Sequence, residues 1–351
     1  MDKLKKKGAR SLGGAKKKEY FCNYLGLLPF FILFGVFMLY PFLYGVVMSF
    51  TDWSVSSGKE GIDFVGLSNY QFVLSGEGVS SERFLTSLKN LCIYVPVTLL
   101  IGMTIALLLA LFINQLNRRA YGIFRGIFFT PYVLPLFIGA GIWQWFMTPG
   151  TGQVATLFEK LGIGVGVDWA NTAIYAIFMV VMIDVWHAVG FNFVIISAGT
   201  KDISPDLYEA AELDGASSWQ KMRYITIPLL EPIMFLVITY GFISALQVYD
   251  IPWILSNNSD YNSIGGTGQV MLFPVMEMVR NVYLGTPSGL GRATAEGVVL
   301  MVIISINATR MEMTAAARGP KVKPPMQITT SLKSKSRNIT LGISLDTSIT
   351  I

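Results

Sequence analysis

Apolar residues in this chain fall in long blocks, without the short alternations of a soluble domain. A helix needs about 20 mostly apolar residues to cross the hydrocarbon core. Five blocks meet that length: 24–50, 91–113, 123–147, 173–198 and 229–248. A sixth begins near Ala293 and is apolar through 297–306, after which polarity returns. Backbone polar groups in lipid must be satisfied inside the protein, so such blocks are helices. The pattern predicts an all-α membrane protein with six transmembrane helices. Prolines interrupt three of them: Pro29 and Pro41, then Pro96, then Pro131 and Pro135. An interior proline removes a helix hydrogen bond and kinks the axis, and neighbouring helices must satisfy the freed carbonyl.

One segment between two blocks is too polar for lipid and too ordered for a slack loop. It runs from Tyr208-Glu209-Ala210-Ala211 through Asp214-Gly215-Ala216 to Pro228. It reads as two short helices with a glycine hinge. Pro205 and Asp206 suit a helix start, and Leu207, Ala210, Ala211 and Asp214 recur at helical spacing. Gly215 accepts a left-handed turn without steric cost. Ser217 or Ser218 caps a second helix carrying Trp219, Met222, Tyr224 and Ile225, and Pro228 marks the entry to the next span.

Composition supports the membrane assignment. Of the 351 residues, 52% are hydrophobic and only 14% charged, against roughly 25% charged in a soluble protein. The net charge of +5 is therefore read by position, as a topology signal and not as a nucleic-acid footprint. With the N-terminus inside, the 27 Lys and Arg divide unevenly. Only Lys59, Arg83, Lys89, Lys160, Arg280 and Arg292 lie outside. The rest lie in the N-terminal tail, two loops and the C-terminal tail. The positive-inside rule then puts both termini and the polar segment in the cytoplasm. The Lys-rich start, followed by a long apolar run, does not read as a cleavable signal peptide. Cys22 and Cys92 read as small buried hydrophobes.

Ionisable groups within spans are costly and point to function. Asp184 and His187 lie near the centre of the fourth block. Asp184, His187, Ala188, Phe191 and Asn192 share one helix face. Such a face offers hydrogen bonds and a ring to a polar solute, or serves as an Asp–His pair in helix packing. Tyr240, Ser244 and Gln247 form a second stripe, followed by Tyr249 and Asp250; interhelical hydrogen bonding accounts for it equally. Trp143 and Trp145 suit interfacial anchors. Gly265-Gly266-Thr267-Gly268 lacks the Lys-Ser/Thr of a phosphate loop and reads as a flexible outer lip. No catalytic constellation and no metal-ligand spacing stands out.

The polar segment resembles the EAA loop of the permease subunits of bacterial ABC importers. The shared pattern is Glu209-Ala210-Ala211, Asp214-Gly215-Ala216, an aromatic-rich helix and Ile225-x-x-Pro228. The likeness extends to Leu27-Leu28-Pro29, Tyr40-Pro41, Ser49-Phe50-Thr51-Asp52-Trp53 and Phe64-Val65-Gly66-Leu67-Ser68-Asn69-Tyr70. It continues through 124–135 and Trp143-Gln144-Trp145, and covers about residues 22 to 304. These segments resemble the first permease half of carbohydrate importers of the maltose and glycerol-phosphate type. The resemblance implies the type I importer permease fold with cytoplasmic coupling helices, in a bacterial cytoplasmic membrane. It implies a heterodimer with a second, related permease, two ATPase subunits that bind ATP and Mg, and an extracytoplasmic solute-binding protein. It implies no catalysis and no cofactor in this chain. It assigns Glu209, Ala210, Ala211, Asp214, Gly215, Ala216, Trp219, Met222 and Pro228 to ATPase coupling. The cargo path would use Asp184, His187, Asn192, Tyr240, Ser244, Gln247 and Tyr249. A proton-coupled secondary transporter relaying through Asp184 and His187 is the competing class.

Two departures stand out. Met222 replaces the Phe usual in the second coupling helix. After Ile306 the apolar pattern stops, which fits either a polar cytoplasmic tail or a changed reading frame. The expected divisions are a basic tail at 1–21, the first span and outer loop at 22–89, a permease core at 90–306 and an atypical tail at 307–351.

Overall fold

The computed structural model describes residues 20–21, 23–55, 62–164, 167–170, 172–256, 264–284 and 288–318. The basic tail, Cys22 and the chain beyond Arg318 lie outside them. Every regular element among the described residues is helical; an antiparallel bridge pairs Thr51 with Phe64.

Helix α1, Asn23–Met48, is the first span, and its middle widens into a π-helical turn at Gly35–Leu39. Helix α2 is Ser68–Ser75 and α3 is Val79–Ile113, the second span, extended outward by three turns beyond its apolar block. The third span is not the single kinked helix its sequence suggests. It breaks into α4, Arg118–Val133, and α5, Leu136–Phe146, bent by 98°. The cause is local: Leu134 precedes Pro135 and is driven to an extended conformation, φ −72° and ψ 138°. Pro96, by contrast, lies inside an unbroken α3. Helix α6, Gln153–Lys160, precedes α7, Ala173–Lys201, the fourth span. The polar segment forms α8, Pro205–Leu213, and α9, Ser218–Lys221. Then come α10, Ile227–Leu246, α11, Asp250–Leu255, α12, Pro274–Tyr283, and α13, Gly289–Arg318. Helicity in α13 continues twelve residues past Ile306, where the apolar pattern ends.

Contacts along α3 and α7 fix the topology. Tyr94 meets Asp184 towards one end, and Asn114 meets Ser197 at the other. The two helices are therefore parallel, so the chain between them must recross the membrane. The bent pair makes that crossing: α4 climbs α7 in the opposite sense, with Tyr121 on Ser197, Phe128 on Phe193 and Tyr132 on His187. Gly190 permits this approach, because a Cβ there would collide with the Phe128 carbonyl. Counting the bent pair as one, the helices long and apolar enough to span number six among the described residues.

The core gathers on α7, whose buried face packs against α3, α5 and α11 at one end and α3, α4 and α10 at the other. Helix α1 buries none of its span window and stands apart from this core. Cys92, expected to be buried, lies exposed on α3.

Candidate cargo cavity and coupling loop

At the α4–α5 break, α3, α7 and α10 enclose a cavity of about 450 Å³, within the usual range for small-molecule sites. Its wall includes the whole predicted α7 face: Asp184, His187, Ala188, Phe191 and Asn192. Tyr240 and Ser244 face them from α10. Gln247 and Tyr249 do not line it. Helix α10 ends at Leu246, and Gln247 leaves helical geometry at φ −106° and ψ 16°, so the stripe is broken there. Tyr249 stacks on Trp253 instead, with ring centroids 5.2 Å apart.

Asp184 and His187 direct their hydrogen bonds to different helices. The Tyr94 hydroxyl donates to Asp184 Oδ2 at 2.6 Å. His187 Nε2 lies 3.0 Å from the Leu134 carbonyl. A carbonyl only accepts, so Nε2 carries the proton. That bond satisfies a carbonyl freed by the break, since the Ile138 and Gly139 amides both turn to Pro135. Three rings line one side: Tyr132 stacks on Phe191 with centroids 4.6 Å apart, and Phe191 meets Tyr240 at 5.5 Å. Sequence reasoning missed Tyr94, Thr98, Gly102 and Tyr132. The first three recur at i, i+4 and i+8 on α3, a small-and-polar stripe within an apolar run that could have marked them.

The polar segment folds from its own local chemistry. Gly215 has φ +76°. The Ala216 amide bonds the Ala211 carbonyl at 2.9 Å and the Gly215 amide bonds the Glu212 carbonyl at 3.0 Å, a Schellman closure of α8. Ser217, not Ser218, caps α9, in a reciprocal box with Gln220. Lys221 pairs with Glu212 across the turn, and the Tyr208 hydroxyl meets Thr226 at 2.9 Å. Pro228 does not separate loop from span. It has no N–H for the Tyr224 carbonyl, and the helix widens so that the Ile227 amide reaches back to Met222. Residues 218–246 thus form one continuous rod.

Glu209, Ala210, Asp214, Gly215, Trp219 and Pro228 are exposed, while Ala211, Ala216 and Met222 are half-buried. Leu213, which sequence reasoning did not single out, is 90% exposed, beside Trp219 at 63% and Tyr224 at 70%. Several large apolar side chains exposed on one short polar segment are what a covered surface would need.

The opposite end is closed by long-range bonds. Asn69 donates to the Ser49 and Thr51 carbonyls, and the Leu290 and Gly291 amides bond Trp53. The Ser49–Trp53 and Phe64–Tyr70 segments are thus two halves of one clasp. Glu277 is fully buried between Arg83 and Arg280, each at 2.8 Å. The Gly265–Gly268 segment is bracketed by side-chain bonds: Arg83 holds the Ile264 carbonyl, and Asn90 holds those of Gln269 and Leu272. Trp143 packs edge-on against Trp186 at 5.6 Å and is not an interfacial anchor; Trp145 is exposed.

This fold is that of a solved importer. A bacterial alginate ABC transporter, crystallised with a pentasaccharide-bound periplasmic protein, aligns at a TM-score of 0.71 over 87% of this chain and 96% of that one, at 23% identity. The family described as binding-protein-dependent transport system inner membrane component matches residues 102–308, and the chain belongs to it. Among relatives, the trehalose/maltose transport system permease protein MalF of Thermococcus litoralis is 32% identical, covering 69% of this chain and 79% of its own. The arabinooligosaccharides transport system permease protein AraP of Bacillus subtilis is 28% identical over 90% and 94%. The chain is therefore a non-catalytic, multi-pass membrane subunit of an ATP-driven importer that works with ATPase subunits and a binding protein. Membership decides against the proton-coupled alternative.

Proposed function

We propose that this subunit carries a sugar, oligosaccharide or related polyol through the cavity between α3, α4, α7 and α10, driven through the α8–α9 loop. The observation that carries it is the cavity wall. Rings of Tyr132, Phe191 and Tyr240 offer apolar faces to a sugar ring, while Asp184, Asn192 and Ser244 offer hydrogen bonds. Relatives named for trehalose/maltose and arabinooligosaccharides support the same cargo class.

The ATPases, which hold ATP and Mg, dock on Glu209, Ala210, Ala211, Asp214, Gly215, Ala216, Trp219 and Met222, with Leu213 and Tyr224 added. Closure of the ATPases pushes α9, and the unbroken helix through Pro228 transmits the push to Tyr240 and Ser244. A second, related permease completes the path as a heterodimer, and α1, which buries none of its span in this chain, offers it a face. The charge asymmetry supports cytoplasmic termini, with a basic tail at 1–21 and a polar tail at 307–351 flanking the permease core. In vesicles holding the complete transporter, Phe191→Ala and Tyr240→Ala are expected to cut uptake at least tenfold while both proteins assemble. Uptake equal to that of the unaltered transporter in both variants would refute the cavity as the path.

A further inference from the structure

The cavity has a one-sided charge lining. Its ionisable side chains are Asp184, His187, Tyr132 and Tyr240, and no Lys or Arg is among the residues that line it. The basic groups of the bundle are placed elsewhere. Arg118, Arg119 and Arg125 sit in the first two turns of α4, and Lys201 ends α7 with its ammonium over the Tyr121 ring at 3.4 Å. Arg83 and Arg280 are tied to Glu277 at the opposite end. Asp184 uses Oδ2 to accept from Tyr94.

An anion entering such a space sheds its hydration and meets no cation from this chain. It also approaches a carboxylate. At an effective dielectric of about 20, two like charges about 5 Å apart repel enough to lower occupancy on the order of 100-fold. A neutral saccharide gives up only hydroxyl hydration, and Asp184, Asn192, Ser244 and the ring faces replace it. We propose that this cavity is a charge filter, passing neutral saccharides and rejecting anionic ones such as uronates and sugar phosphates. The proposal rests on the reading of the cavity as the cargo path. The same fold serves a transporter named for import of the acidic polysaccharide alginate, at 22% identity, so the fold alone does not set the charge of the cargo.

A thiol at Ser244 reads the filter without knowledge of the sugar. Ser244→Cys is placed in the complete transporter with Cys22→Ser and Cys92→Ser. Its modification by a cationic trimethylammonium-ethyl and an anionic sulfonatoethyl methanethiosulfonate is followed by mass spectrometry of this chain. Each rate is divided by that reagent's rate with a free thiol, at about pH 8, where free imidazole is uncharged. The cationic reagent is expected to lead by at least about tenfold. Asp184→Asn, which keeps an acceptor for Tyr94, is expected to bring the ratio near one, and Asp184→Glu to retain it. An anionic reagent as fast as the cationic one overturns the proposal, as does a ratio unmoved by Asp184→Asn. If neither reagent reaches the thiol, with or without ATP, the cargo-path reading falls and takes the filter with it. The two failures are therefore distinct.

Discussion

The two ends of this bundle are built in opposite ways. At the clasp end, the bonds that matter join residues far apart: Asn69 to Ser49, Arg83 to Glu277, Asn90 to Leu272. Its charges are buried and its glycine-rich segment is held down. At the α8–α9 loop, most bonds join near neighbours: Ala216 to Ala211, Ser217 to Gln220, Lys221 to Glu212. Its large apolar side chains face outward. One end spends its side chains on its own stability. The other is self-framed by backbone caps and leaves its side chains free for a partner.

The largest test of that contrast is Glu277→Ala. Breaking a buried pair from one side leaves an uncompensated charge and costs about 3–5 kcal/mol. Here two cations, Arg83 and Arg280, lose their shared carboxylate. A marked fall in the thermal midpoint of the purified subunit in detergent is expected, with the coupling loop untouched. A midpoint unchanged within error would mean that the clasp does not hold the bundle.

Gly215→Pro makes the corresponding break at the loop end. Proline fixes φ near −65° and has no N–H, whereas Gly215 sits at +76° and donates to Glu212. The local cost is about 3 kcal/mol or more, confined to the turn between α8 and α9. The protein is expected to insert, while transport-coupled ATP hydrolysis in vesicles is lost. Coupling that survives would separate this hinge from the drive.

The same contrast explains what the sequence revealed. The helix ends of the α8–α9 loop were legible almost to the residue, because its caps lie within a few positions of one another. Only the choice of Ser217 and the continuity through Pro228 needed coordinates. Half of the cavity was legible too, because one face of α7 carries Asp184, His187, Phe191 and Asn192 at helical spacing. Its other walls were not. Tyr94 meets Asp184 across 90 residues, and Tyr132 enters only because α4 runs back along α7, onto His187 and Phe191. The charge network at the clasp end was invisible for the same reason: Arg83 and Glu277 are 194 residues apart, and each alone reads as a surface charge.

Ser217→Ala probes the self-framing directly and more gently. Loss of an N-cap of this kind costs about 1 kcal/mol. Because the box with Gln220 is local, the expected change is faster amide exchange at residues 218–221, with the thermal midpoint of the whole subunit nearly unmoved. Broad loss of protection through α10 would instead show that the cap anchors the rod.

Leu213→Ser has the smallest expected effect on the fold and separates docking from stability most cleanly. Leu213 is 90% exposed, so its removal takes almost nothing from the core, and the stability change should stay within about 0.5 kcal/mol. An apolar residue that contributes nothing to its own fold has its use elsewhere. If the ATPase covers it, the side chain is desolvated only in the complex. Loss of that burial would then lower ATPase affinity by about tenfold or more, at about 1.5–3 kcal/mol for a Leu. Titration of ATPase onto the detergent-purified permease pair measures it. Unchanged affinity would leave Leu213 outside the contact and confine docking to Trp219, Met222 and Tyr224 on the α9 side of the hinge.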